Sequence, residues 1–257
     1  MIDTGDTRIK LEVNQAIAII TLARPEKLNA LDFEMILALE RTAHLIDADA
    51  AVRVAIITGE GDRSFCAGGD IAAWSVQKPE DFGLRWVRVG HRAFDALTRL
   101  RQPLIAALNG HTLGGGLELA ACADFRVGEE HIKLGLPETG IGIIPGWSGT
   151  QRAIKRFGSQ IIRRMALLGE ILNADQSLQH GLIDRIAEKG KSLGSALELA
   201  NMICARSNFA TASAKMMINA ADGEDAERAL EALAGTAAAH SAELQKGLEV
   251  FRTKKKS

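Results

Sequence analysis

The run Gly114-Gly115-Gly116-Leu117-Glu118 is the densest chemical signal in this 257-residue chain. If a helix begins at the glycines, its first N–H groups lack partners and its positive dipole end points beyond them. Glycine removes the Cβ that would keep a ligand atom away from that backbone. Glu118 follows Gly115 on the same helical face, so one short motif offers an oxyanion donor beside an acid or base. The plainer account is a tight helix start with a first-turn glutamate favoured by the dipole. A second loop, Cys66-Ala67-Gly68-Gly69-Asp70-Ile71, supplies another glycine amide after a strand, or simply a turn. The third element is Pro137-Glu138, set in the rigid and apolar run from Gly135 to Gly146, where a merely solvated charge sits awkwardly. Two amides and two carboxyls suit a reaction in which negative charge grows on one oxygen while a proton moves nearby.

Other signatures fail. Gly140-x-Gly142 precedes Pro145-Gly146 and misses the dinucleotide-binding pattern, and Leu119 stands where the Gly114–Gly116 run would need its last glycine. No phosphate-loop motif is present. Ser148 lies in Gly146-Trp147-Ser148-Gly149-Thr150, with Thr150 where a nucleophile elbow needs glycine and no His/Asp pairing suggested for it. The six histidines form no metal-binding pair, so no metal is expected. Cys66, Cys122 and Cys204 are too few and scattered for a disulfide frame. With 31 basic against 32 acidic residues and a net charge of −1, the chain has no electrostatic case for binding nucleic acid. It lacks an apolar run long enough for a membrane span, and its first residues carry no secretory or transit pattern, so a cytoplasmic protein is expected.

The elements that must position these groups read as α/β. Strands are expected over 9–13, 16–22, 53–58, 103–108 and 124–127. Helices are expected from Asp32 as N-cap, over 81–100, over 117–122 and from Pro145-Gly146 toward Phe157. The order strand, glycine turn, helix repeats loosely. After about Glu188 strand signals vanish and three or four helices are expected. That divides the chain into a core over 1–190 carrying the site and a helical segment over 191–257.

Taken together, several blocks resemble the enoyl-CoA hydratase/isomerase (crotonase) superfamily over essentially the whole chain. They are Arg24-Pro25-Glu26-Lys27-Leu28-Asn29-Ala30-Leu31, Phe65 to Ile71, Asn109 to Ala120, Asp124-Phe125-Arg126, Leu136-Pro137-Glu138, and Gly142-Ile143-Ile144-Pro145-Gly146 through Gly149-Thr150-Gln151-Arg152. The resemblance implies a crotonase-like spiral of ββα units with a C-terminal helical trimerisation segment, assembled as a trimer or dimer of trimers. It implies an acyl-CoA substrate whose thioester carbonyl lies between two amides, matching Gly69 and Gly115. It also implies coenzyme A as part of the substrate rather than a separate cofactor. Hydratases of the family carry two glutamates, matching Glu118 and Glu138. Glu118 is assigned as the water-orienting base and Glu138 as the proton donor to C2, with a Δ3-Δ2 enoyl-CoA isomerase as the alternative. Substrate contacts are expected from Arg24, Lys27, Leu28, Ala67, Asp70, Ile71, Pro137 and Trp147. Arg24, Lys27 and the tail lysines Lys254, Lys255 and Lys256 stand in for the lysine that relatives often place at Ala72. Trp147-Ser148 departs from the small residues usual there, and Trp74, Phe82, Leu84 and Trp86 fall where the acyl tail is gripped.

Overall fold

Ten strands and their helices are seen in a computed structural model, which describes residues 2–242 together with Leu244, Lys246 and Leu248. The tail lysines lie outside the described residues. The strands are β1 (Ile9–Asn14), β2 (Ile17–Leu22), β3 (Val54–Gly59), β4 (Ser64–Cys66), β5 (Leu104–Leu108), β6 (His111–Leu113), β7 (Phe125–Glu129), β8 (Lys133–Gly135), β9 (Ile171–Asn173) and β10 (Arg185–Ala187). One sheet runs β1-β2-β3-β5-β7-β10 and the other β4-β6-β8-β9. Apart from the β1–β2 hairpin and the β8–β9 pair, neighbouring strands are parallel. Successive strand pairs (β3 and β4, β5 and β6, β7 and β8) each give one strand to each sheet before the chain turns into helix. This is the ββα spiral.

The larger sheet is apolar on both faces because both are covered. Ala55 and Ile57 of β3 and Leu104, Ala106 and Leu108 of β5 enter the main core, whereas Val54, Ile56, Ile105 and Ala107 point the other way. On that second face they meet Ala196 and Ala200 of the Ser192–Cys204 helix. The first helix of the C-terminal segment therefore closes the core of the spiral rather than standing apart from it. The Asn208–Ala221 and Ala226–Ala239 helices follow. No described helix is long and apolar enough to cross a membrane.

Two local features hold the site loops. Asp32 caps the Phe33–Ala48 helix by accepting from Met35 N at 3.1 Å, worth about 1 kcal/mol. Leu28 and Asn29 both adopt left-handed backbone, and the buried Asn29 amide donates to Glu60 O and Ser64 O and accepts from Arg24 N. That side chain welds the Arg24–Leu31 block to β4. One expectation fails locally: Pro145-Gly146 does not open a helix, which starts only at Arg152. Ser148 has φ +81, incompatible with α-helix, and the amides around it are committed elsewhere.

Candidate active site

The Gly115–Ala120 helix begins where the sequence places it, for a steric reason. Gly114 has φ 55 and ψ −127, which a side chain would strain, and a Cβ on Gly116 would collide with the Cys66 carbonyl oxygen. Gly116 thus lets this helix press against the strand that feeds the Cys66–Asp70 loop. Glu118, 3% exposed, lies in the first turn. Its Oε1 accepts from the amides of Trp147 and Gly149, each at 2.6 Å.

Gly69 is paired with Leu31 as an isolated parallel bridge. Leu31 N donates to Gly68 O and Asp70 N donates to Leu31 O, so the Gly69 N–H faces away from Leu31. Gly68, at φ +96, is pressed against the other loop, a Cβ there lying 3.0 Å from Gly115 N. Neither Gly69 N nor Gly115 N has an acceptor among the described residues. Both glycines line a cavity of ≈ 210 Å³ together with Glu118 and Glu138. Its remaining walls are apolar and strongly aromatic, with Trp74, Phe82, Trp86 and Trp147 alongside Ile141, Ile143 and Ile144. A π-helical stretch, Phe82–Val87, turns Phe82, Trp86 and Val87 inward.

Glu138 begins the Glu138–Ile141 turn and is 8% exposed. Its Oε1 lies over Gly114, where a Cβ would come within 2.9 Å, and its Oε2 is buried with no partner among the described residues. Burial disfavours the charged form of both glutamates, and repulsion from Glu138 adds to the effect on Glu118. The pair titrates as a unit, with values pushed up to about 7 and about 8 that belong to neither residue alone. The two carboxyls differ in hydrogen bonding: two amides donate to Glu118, while Glu138 Oε2 has no donor among the described residues.

This pair makes the fold less stable as the solution becomes basic. A carboxyl whose folded pKa exceeds its unfolded value stabilises the fold fully below the unfolded value, near 4.5, and that contribution drains away as pH rises through about 7 and about 8. Each unit of upward shift represents about 1.4 kcal/mol. Calorimetry at pH 5 and pH 8.5 is expected to show a fall in Tm of several degrees that the E118Q/E138Q double variant lacks. Equal falls in both proteins would contradict this placement of the acids.

The remaining expected contacts scatter. Ala67, Ile71, Pro137 and Trp147 line the same cavity. Leu28 lines a second cavity of ≈ 320 Å³ that shares Ala67 with the first. Arg24 is tied into the protein: Nη2 meets Asp70 Oδ2 at 2.9 Å, and Nη1 meets Asp32 Oδ2 at 3.4 Å and donates to Ala30 O. Asp70 also accepts from Ala72 N. Arg24 and Asp70 thus brace the loop and each other, while Lys27 is exposed. Leu84 is 72% exposed and does not line the cavity. Cys66 is buried and its thiol is pushed up to about 12, so it stays unreactive. Among the described residues no three His, Cys, Asp or Glu side chains converge on a metal-sized space.

Sequence reasoning missed the Trp147 and Gly149 amides and the glycine that admits the indole. Gly90 lies inside the Arg88–Thr98 helix, and a Cβ there would overlap the Trp147 pyrrole ring. A glycine inside an amphipathic helix costs about 0.5–1 kcal/mol against alanine, and that anomaly was the readable signal for a close approach.

This geometry has company. Residues 12–257 match the family model described as enoyl-CoA hydratase/isomerase. The chain belongs to the enoyl-CoA hydratase/isomerase family. It is 33% identical over 254 residues to a crotonyl-CoA hydratase of Syntrophomonas wolfei, covering 97% of this chain and 96% of that protein. It is 34% identical to a short-chain-enoyl-CoA hydratase of Clostridium acetobutylicum, covering 81% of this chain and 80% of the other. Among solved structures, an enoyl-CoA hydratase from Bacillus anthracis superposes with a TM-score of 0.81 at 30% identity, covering 96% of this chain and 97% of that one.

Proposed function

We propose that the chain is an enoyl-CoA hydratase, a hydro-lyase that reversibly adds water across the double bond of a 2-enoyl-CoA. The observation that carries the reading is the pair of buried glutamates in unequal hydrogen-bond settings, lining one cavity with two unpartnered amides. The thioester oxygen accepts from Gly69 N and Gly115 N. Water held between the acids gives a proton to the Glu118 carboxylate as its oxygen bonds to C3. The π electrons move onto the thioester oxygen as an enolate, and protonated Glu138 delivers its proton to C2. Each amide donor aimed at that oxygen contributes about 3–4 kcal/mol to the transition state. A dry, apolar cavity strengthens those interactions. Every group the reaction needs is main chain, carboxyl or water, so the proposal includes no metal and no redox cofactor. Coenzyme A enters with the substrate.

The acyl group is short or compact. Trp86 and Trp147, each 3% exposed and with ring centroids 5.4 Å apart, form a buried aromatic wall, with Phe94 packed against Trp147. Assembly into a homo-oligomer, a trimer or a dimer of trimers, is supported by the large apolar side chains exposed on the C-terminal helices, Met202, Phe209, Met217, Ile218 and Leu230. The test follows the conjugated-enoyl absorbance of 2-enoyl-CoAs from C4 to C10. Loss of absorbance is expected, with kcat/KM falling at least tenfold from C4 to C10 and W147A flattening that fall. Reaction with 3-enoyl-CoAs alone would replace this reading with the isomerase.

A further inference from the structure

Ser148 is a buried serine held in left-handed backbone, φ +81, with no glycine to make that conformation easy. Such outliers persist only where their surroundings over-determine them. Its two neighbours explain what the conformation achieves. Trp147 N and Gly149 N both reach Glu118 Oε1 at 2.6 Å, and only a crank at the residue between them turns alternate amides toward one oxygen. The Ser148 side chain points away from the cavity. Its Oγ lies 3.0 Å from His91 Nδ1 on the Arg88–Thr98 helix, and the residue before His91 is the glycine that receives the Trp147 ring. Helix and loop are thus joined at two consecutive positions, indole on Gly90 and hydroxyl on His91. The other end of the loop is also fixed: Ser148 O accepts from Gln151 N and Ala153 N. Arg152 then binds Asp95, also on the Arg88–Thr98 helix.

We propose that His91 and Ser148 form a positioning pair for Glu118, the hydroxyl–imidazole bond holding the crank that aims two amides at the catalytic carboxylate. The pair touches no reacting atom. Burial holds the His91 imidazole below its ordinary value; Asp95 opposes that effect and Arg152 adds to it. A neutral imidazole protonated on Nε2 leaves Nδ1 to accept the Ser148 proton. Burial and Arg152 therefore favour the neutral ring the bond requires, against the pull of Asp95. The inference rests on the hydratase reading for its kinetic consequences, while its structural content stands on the loop alone.

The experiment exploits glycine's freedom at positive φ. Removing the hydroxyl while keeping the Cβ leaves the crank strained and unheld, so S148A is expected to lower kcat for crotonyl-CoA hydration at least tenfold with KM within about twofold of wild type. S148G relaxes the strain and recovers most of that loss. H91A costs about tenfold beside Ser148 but about twofold or less on the S148G background, and H91N, whose amide oxygen can replace Nδ1, rescues H91A. A packing role for His91 would instead cost the same on both backgrounds, and that result, or a silent S148A, overturns the proposal. Crystal structures of S148A and S148G keep this separate from the hydratase reading. Loss of an amide from Glu118 Oε1 in S148A and retention of both in S148G supports the pair whatever the substrate, whereas identical loops in both variants refute it.

Discussion

Glu138→Gln is expected to lower kcat for hydration of a 2-enoyl-CoA by about 10²–10⁴-fold while leaving KM nearly unchanged. The amide keeps the size of the side chain and its place over Gly114 but holds no proton acidic enough for C2. The same substitution is expected to stabilise the protein in basic solution. Glu138 Oε2 is buried without a partner among the described residues, and burial raises its carboxyl above the ordinary carboxylate range. A neutral group in its place removes the cost of ionising it, so Tm at pH 8.5 rises by a few degrees and Tm at pH 5 hardly moves. Activity lost with stability gained marks a group kept for chemistry rather than for folding. E118Q is expected to lose a similar factor in kcat, because water addition needs a base as well as an acid. One silent variant of the two would leave a single-acid enzyme and favour the isomerase. Titration of kcat, KM and Tm for both variants at the two pH values checks all of this.

Gly116→Ala is expected to damage stability and turnover together. The new Cβ would overlap the Cys66 carbonyl oxygen, which is backbone and cannot rotate away. Relief requires the Gly115–Ala120 helix and the Cys66–Asp70 loop to separate. Overpacking of this kind costs about 1–3 kcal/mol. The same separation moves Gly115 N away from Gly69 N, and misplacing one oxyanion donor lowers kcat by about 10²–10³-fold. Gly140→Ala, whose Cβ meets nothing, serves as the control. Thermal melts and kcat/KM on both proteins read the outcome. A Gly116→Ala protein with wild-type Tm and turnover would mean that the two loops do not depend on their close approach.

What could be read from residues alone followed physical range. The glycine run before Glu118 announces a helix start and a backbone open to a ligand because both follow from the missing Cβ, a local property. Asp32 as N-cap and the five- and six-residue strands β1, β2, β3, β5 and β7 are local in the same way. The three-residue strands β4, β6, β8 and β9 are too short for any period to register, so the second sheet is invisible until the spiral is built. Pro145-Gly146 looked like a helix opening because proline suits that position. What prevents it is a carboxylate distant in sequence, Glu118, which takes the amides of Trp147 and Gly149. The Ser148–His91 bond spans 57 positions, and no sequence pattern links the two residues. Arg24 shows the converse: a cation beside a substrate loop suggests a phosphate contact, yet two aspartates, Asp32 and Asp70, claim it once the chain folds.

A crystal structure with an unreactive acyl-CoA thioester bound tests the central claim most directly. The thioester oxygen is expected 2.7–3.1 Å from both Gly69 N and Gly115 N, the range in which an oxyanion is stabilised. C2 and C3 are expected between the carboxyls of Glu138 and Glu118. An oxygen that contacts neither amide, or an acyl chain that leaves both carboxyls beyond the reach of one water, would contradict the account.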